Sequence, residues 1–154
     1  MIALLQRVTS ASVTVDGKVI ADIDQGLLVL LGVEKLDDAS VADKLAEKIL
    51  RYRVFADSAG KMNLSVLDIE GSVLMVPQFT LAADTHKGLR PGFSNAAPPE
   101  KGLTLFSQLI DIMRVKGPSM VDNLGEGWLQ TGQFGADMAV ELINDGPVTF
   151  NLTI

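Results

Sequence analysis

Two short segments of this sequence carry residue types that could do chemistry. The first is Pro77-Gln78-Phe79-Thr80-Leu81-Ala82-Ala83-Asp84, at the end of an apolar run. Residues two apart on a strand share a face. Gln78 and Thr80 are therefore expected to present an amide and a hydroxyl side by side, with Phe79 on the opposite face. A strand threonine is usually there for its β-propensity, however. The second segment is Asn144-Asp145-Gly146-Pro147-Val148-Thr149, read as a tight turn between two strands. At an X–Pro bond a cis peptide costs only about 0.5–1 kcal/mol. A cis Gly146-Pro147 would turn two carbonyls to one side with no side chain between them. That pair could hold an ammonium group or repel a side chain of the wrong hand. The same composition is also ordinary hairpin chemistry.

Other devices are eliminated. His86 is the only histidine, and any Ser-His-Asp arrangement would have to use it. It sits in Thr85-His86-Lys87-Gly88-Leu89-Arg90-Pro91-Gly92, where the plain reading is a solvent-exposed loop histidine. With no cysteine and one histidine, no metal cluster of familiar spacing can be built. There is no Gly-x-Ser-x-Gly elbow and no phosphate loop. An enzyme built from this chain would lean on backbone groups and on its substrate more than on a triad, with no metal or cofactor.

The elements that must position these residues follow from patterning. At 154 residues the chain is long enough for one domain with a real core, 1–154. No run of about 18 apolar residues occurs, and the N-terminus has no basic leader. Absent cysteine fits a reducing, cytoplasmic setting. A net charge of −6 argues against coating long stretches of nucleic acid, but not against gripping a short end. Strands are expected at 2–9, around the Asp16-Gly17-Lys18 turn, at 26–33, at 71–81, and near 136–143 and 147–153. The 26–33 run, apolar throughout, reads as buried on both faces. A helix over 38–52 buries Val41, Leu45 and Ile49. A second opens at Pro98-Pro99-Glu100, buries Leu103, Phe106, Ile110 and Met113, and stops at Gly117-Pro118. Residues 115–133, which hold the only tryptophan, Trp128, read as a loop excursion. The sum is an α+β fold: a strongly curved, mostly antiparallel sheet or open barrel with two main helices outside.

Taken in order, these segments resemble the D-aminoacyl-tRNA deacylases along nearly the whole chain. The resemblance is carried by Met1-Ile2-Ala3-Leu4-Leu5-Gln6-Arg7-Val8 and by Gly26-Leu27-Leu28-Val29-Leu30-Leu31-Gly32-Val33-Glu34. It continues in Tyr52-Arg53-Val54-Phe55-Ala56-Asp57, Gly60-Lys61-Met62-Asn63 and Thr131-Gly132-Gln133-Phe134-Gly135-Ala136-Asp137-Met138, besides the two segments above. It implies hydrolysis of the ester joining a D-amino acid to tRNA, and of glycine mischarged on a tRNA for alanine. It further implies a homodimer in which the Gly146-Pro147 turn of one subunit enters the site of the other. That turn would bind the α-amino group and exclude an L side chain. Arg7 would orient it, and Met138 is placed with it in substrate selection. Gln78, Phe79 and Thr80 would form the catalytic wall, their backbone N–H groups polarising the carbonyl. The 2′-hydroxyl of the terminal adenosine would activate water. Two departures stand out: Pro77 occupies a position that is often serine in the family, removing a hydroxyl and an N–H, and residues 115–130 look longer than the family's counterpart. Two rivals remain at this level. One is a non-catalytic aminoacyl-tRNA or nucleotide-binding module, and the other an esterase for small D-amino acid esters with Thr80 as nucleophile.

Overall fold

The computed structural model describes residues 1–86 and 88–154. Its backbone is a long antiparallel frame built on β1 (Ile2–Val15). A tight turn at Asp16-Gly17, both at positive φ, leads into β2 (Lys18–Ile23), as the Asp-Gly pair predicts. The next strand is β3 (Gly26–Gly32), which pairs with the first half of β1 while β2 pairs with the second half. Helix α1 (Ala39–Arg51) follows, with the Asp38 carboxylate accepting the Val41 N–H at 3.0 Å. Such a cap is worth about 1 kcal/mol. A short hairpin, β4 (Phe55–Ala56) and β5 (Met62–Leu64), precedes β6 (Ser72–Pro77). Helix α2 (Pro99–Met120), β7 (Leu129–Thr131) and the long β8 (Ala139–Thr153) complete the chain.

The main sheet runs β2-β1-β3-β6-β7, with β8 on the other edge of β1. Its pairings to β1 are antiparallel, whereas β3–β6 and β6–β7 are parallel, so the sheet is mixed. It curls until β2 faces β7. There no ladder forms, and the Gln130 side chain stands in for one. Its amide nitrogen donates to the Asp22 carbonyl, and its oxygen accepts the Asp22 N–H at 3.0 Å. The expected open barrel is thus nearly closed, with one seam left unsealed and bridged only by the Gln130 side chain.

The apolar run of β3 is buried on both faces, as its composition predicts. Leu27, Val29 and Leu31 meet Leu45, Ile49, Leu109 and Met113 of the helices. Leu28 faces the barrel interior with Leu74, Val76, Val13 and Ile23. Alternation on β6 matches, with Val73 and Met75 outward to the helices. The helices pack together, and Lys116 of α2 bonds Asp43 and Glu47 of α1 at 2.9 and 3.4 Å. The bond to Asp43 is the first reason its ammonium pKa lies above the ordinary lysine value. Neither helix is long and apolar enough to cross a membrane.

Several expectations are corrected. β1 continues past residue 9 to Val15, because its second half finds a new partner in β2. Helix α2 runs through Gly117-Pro118 to Met120. Proline in the last turn forfeits a single N–H bond, and core contacts of Met120, Val121 and Leu124 hold the segment down. Residues 115–133 are therefore helix end, short loop and strand, with Trp128 packed on Gly117. Leu103 is exposed, and Leu105 and Leu109 take the buried stripe instead. The two closing strands are one, β8, and the 71–81 strand stops at Pro77.

Candidate active site

Pro77 ends the ladder because its neighbours change. On β6 the odd-numbered N–H groups face β7, as Val73 shows by donating to the Trp128 carbonyl at 2.6 Å. Pairing with β7 finishes at Met75–Thr131. The N–H that Pro77 lacks would point beyond that last pair, so proline costs no ladder bond there. Gln78 turns back to β3, its N–H donating to the Leu31 carbonyl at 2.7 Å. The chain then winds into a 3-10 turn over Phe79–Ala82. Gly32 permits this close approach. A Cβ there would sit 2.9 Å from Leu81 Cβ and 3.2 Å from the Gln78 carbonyl oxygen.

The amide and the hydroxyl do meet, through the turn and not through strand alternation. Gln78 Nε2 donates to Thr80 Oγ1 at 2.6 Å. With that lone pair occupied, the Thr80 hydroxyl proton is free to point outward. The first N–H groups of a helical turn have no partner within it. Those of Phe79 and Thr80 bond to nothing among the described residues, while that of Gln78 is already used. Two of the three N–H groups, those of Phe79 and Thr80, are therefore open to an acceptor.

Beside this turn opens a cavity of about 540 Å³, within the range of small-molecule sites. Gln78 and Phe79 form one wall, and Phe93, Pro98, Phe106 and Phe134 much of the rest. Phe79 and Phe93 make a tilted aromatic pair, centroids 5.2 Å apart, at the surface. Sequence patterning missed Phe93, Pro98 and Phe134 as site residues. Phe134 lies in a segment already singled out for its resemblance, whereas Phe93 and Pro98 carry no signal apart from the fold. Met138 lies behind the same strand end. A Cβ on Gly132 would fall 2.8 Å from Met138 Sδ and 3.5 Å from Pro77 Cδ.

The second segment is built differently from a hairpin. Gln6 pairs with Thr149 and Val8 with Asn144. Between these pairs β1 contributes Arg7 alone, and β8 contributes Asp145–Val148, which must loop out. The Gly146–Pro147 peptide in this bulge is cis. A second irregularity, after Val8, changes which face of β1 looks inward. Ala3 and Leu5 accordingly face the helices, whereas Ala11 and Val13 face the barrel interior. Arg7 holds the bulge. Its Nε lies 3.2 Å from the Asp145 carbonyl oxygen and 3.1 Å from Oδ2, and its Nη1 donates to the Val54 carbonyl at 2.6 Å. Asn144 closes the base, its Oδ1 accepting the Val148 N–H at 2.8 Å and its Nδ2 donating to Thr149 Oγ1 at 2.9 Å. Gly146 and Pro147 remain exposed.

Within one chain the two segments are not brought together, since neither Gly146, Pro147 nor Arg7 lines the cavity beside Gln78. His86 is exposed, its N–H bonded to Asp84 Oδ1 at 2.9 Å, and it is not among the cavity residues. Lys87 of the same loop lies outside the described residues. Among those described, no three His, Cys, Asp or Glu side chains group to hold a metal.

Comparison with known proteins agrees with this architecture. The family model for D-Tyr-tRNA(Tyr) deacylase matches residues 4–153. A D-aminoacyl-tRNA deacylase of Shewanella amazonensis is 55% identical over 154 residues, and one of Shewanella sp. strain W3-18-1 is 54% identical; each match covers all of both chains. A solved structure called c-Myc DNA Unwinding Element Binding Protein is 38% identical, covers 100% of this chain and 99% of its own, and superposes with a TM-score of 0.90. Another, a probable eukaryotic D-amino acid tRNA deacylase, covers 98% of both chains with a TM-score of 0.80; at 18% identity it speaks for the fold alone. With a family model spanning almost its whole length and full-length relatives above half identity, the chain belongs to the D-aminoacyl-tRNA deacylase family.

Proposed function

We propose that this protein hydrolyses the ester bond of D-aminoacyl-tRNA, releasing free D-amino acid and tRNA. The observation that carries the proposal is the pair of unbonded N–H groups on Phe79 and Thr80, in the turn whose Gln78 and Phe79 line a cavity of about 540 Å³. Donors fixed in a turn are placed where negative charge develops on an ester carbonyl oxygen as water attacks, and they need no reorganisation at that moment. The Thr80 hydroxyl, oriented by Gln78, binds the substrate alongside them. No side chain at the wall is a strong base, so the 2′-hydroxyl of the terminal adenosine activates the water. The substrate pool for this reaction is cytoplasmic.

Selection against L-amino acids falls to the Gly146-Pro147 bulge. An exposed backbone device clamped by Arg7, Asn144 and Thr149 suits an enzyme that must accept many side chains while rejecting one configuration. Because it does not reach the Gln78 wall of its own chain, it acts in the site of a second subunit, which makes the working unit a homodimer. Glycine has no side chain to exclude, so glycyl-tRNA mischarged on a tRNA for alanine is a second substrate.

Purified protein with D-tyrosyl-tRNA and L-tyrosyl-tRNA, without added metal, tests this directly. Release from the D ester alone is expected. Equal loss of both would make the protein a general esterase. Loss of neither would favour a nucleic-acid-binding module, in keeping with the printed name of the 38% identical relative. Thr80→Ala separates binding from covalent catalysis. Losing one binding hydroxyl is worth about 0.5–1.5 kcal/mol, or roughly tenfold at most. A loss a thousandfold or greater, restored by Thr80→Ser, would instead make Thr80 the nucleophile.

A further inference from the structure

The cavity beside Gln78 is apolar on almost every side, and Lys35 is the one charged residue among the described residues that line it. Its backbone is fixed at the rim. The Lys35 N–H donates to the Asn95 carbonyl at 2.9 Å, and Glu34 bridges to Ala96. Lys101, in the first turn of α2, reaches the same rim and donates through Nζ to the Lys35 carbonyl at 2.6 Å. One of its three ammonium hydrogens is thereby used, leaving two for a ligand. Among the described residues neither lysine lies within ion-pair distance of a carboxylate. Glu34 and Asp37, the acids nearest Lys35 in sequence, are engaged by the Met1 ammonium at 3.3 and 2.6 Å.

Two available cations at the mouth of an apolar pocket stand out on a chain of net charge −6. A base and sugar can fill the pocket, but the 5′-phosphodiester attached to them must stay at its mouth. There the choice of partner is water or these ammonium groups. We infer that Lys35 and Lys101 together clamp the phosphodiesters joining the last nucleotides of the RNA acceptor end. They are positioning residues, distinct from the Phe79–Thr80 donors that meet the ester. The inference rests on the reading that a terminal nucleoside occupies the cavity.

The test compares wild type with Lys35→Gln/Lys101→Gln, titrated with a short single-stranded RNA ending in CCA-3′ and, in parallel, with adenosine. Each phosphate neutralised on a single strand contributes about 0.7 to the slope of log affinity against log salt. Loss of both lysines is therefore expected to flatten that slope by about 1.4 between roughly 50 and 200 mM salt. The ratio of RNA affinity to adenosine affinity should fall by about tenfold or more at 0.1 M salt, and Lys35→Arg/Lys101→Arg should restore it. A merely structural role would weaken RNA and adenosine together and leave the slope unchanged. An unchanged ratio or slope in the double glutamine variant overturns the clamp, and so does a wild type that binds neither probe. Wild type that shows the expected slope yet releases no D-tyrosine refutes the reaction proposed above while supporting the clamp.

Discussion

Gly146→Ala is expected to lower kcat/KM for D-tyrosyl-tRNA by about 100-fold or more while leaving the fold in place. Gly146 has φ +128°, where an L residue pays roughly 1–3 kcal/mol. Its missing Cβ would lie 2.7 Å from Val148 Cγ2, 3.1 Å from Arg7 Nη2 and 3.2 Å from the Val148 nitrogen. None of these can step aside cheaply. Val148 is buried and stiff at χ1. Arg7 is held by the Asp145 and Val54 carbonyls. The bulge must therefore move, and under the role proposed for it a misplacement of about 1 Å can cost roughly 100-fold. The fold should survive because the bulge is an exposed excursion of β8, whose ladder to β1 continues on both sides. A melting temperature lowered by only about 2–12 °C is expected, at 2–4 °C per kcal/mol for a chain of this size. Unchanged rate and unchanged D-over-L preference would remove this turn from the active site.

That bulge also shows what a sequence can and cannot reveal. Asn-Asp-Gly-Pro announces a turn, and the apolar residues on either side announce strands, so a hairpin is the economical reading. Whether such a turn joins two strands or loops out of one depends on the strand opposite. Here β1 runs uninterrupted past it with only Arg7 between two pairs, a relationship across 138 residues that no local pattern encodes. The elements decided by local chemistry were legible. The Asp16-Gly17 turn and the doubly buried β3 both follow from residue type and spacing. So did the curved sheet with helices outside it. The stop of α2 was misplaced because Gly-Pro is a weak terminator when tertiary contacts beyond it, those of Trp128 and Leu124, favour another turn.

The contact between Gln78 and Thr80 was legible in the sequence and its geometry was not. The two side chains do meet, but strand alternation supplied the wrong reason. Pro77 and the close approach at Gly32 turn the chain into a 3-10 wind, and that wind, not a pleat, frees the Phe79 and Thr80 donors. Phe93 and Pro98 come from the loop before α2 and meet Gln78 only because β3, β6 and α2 are packed together. Family resemblance named the wall and the turn; the fold keeps Gly146, Pro147 and Arg7 out of the cavity that Gln78 lines, which is the ground on which the two-subunit site is proposed.

Gly26→Ala is expected to prevent folding outright, or to lower the melting temperature by about 10 °C or more. Gly26 opens β3, between Val8 on one side and Ser72 on the other. A Cβ there would fall 1.8 Å from the Ser72 carbonyl oxygen, 2.7 Å from its carbon and 2.9 Å from its nitrogen. All three are backbone atoms, so no rotamer change relieves the overlap. Ser72 cannot retreat alone, because its N–H bonds the Gln25 carbonyl at 3.1 Å and that of Gly71 bonds the Val66 carbonyl at 2.9 Å. The strands would have to part by more than an ångström along the pairing that buries Leu27, Val29, Val73 and Met75. Overpacking in a rigid core costs about 1–3 kcal/mol and sometimes more, against a total stability of roughly 5–15 kcal/mol. At about 2–4 °C per kcal/mol, the upper part of that range gives the stated loss. Gly125→Ala, where a Cβ meets nothing within 4 Å, is the matched control and should melt with wild type. If thermal unfolding found Gly26→Ala equal to wild type, β3 and β6 would not pair in this register. The route by which β6 delivers Gln78 to the cavity would then have to be redrawn.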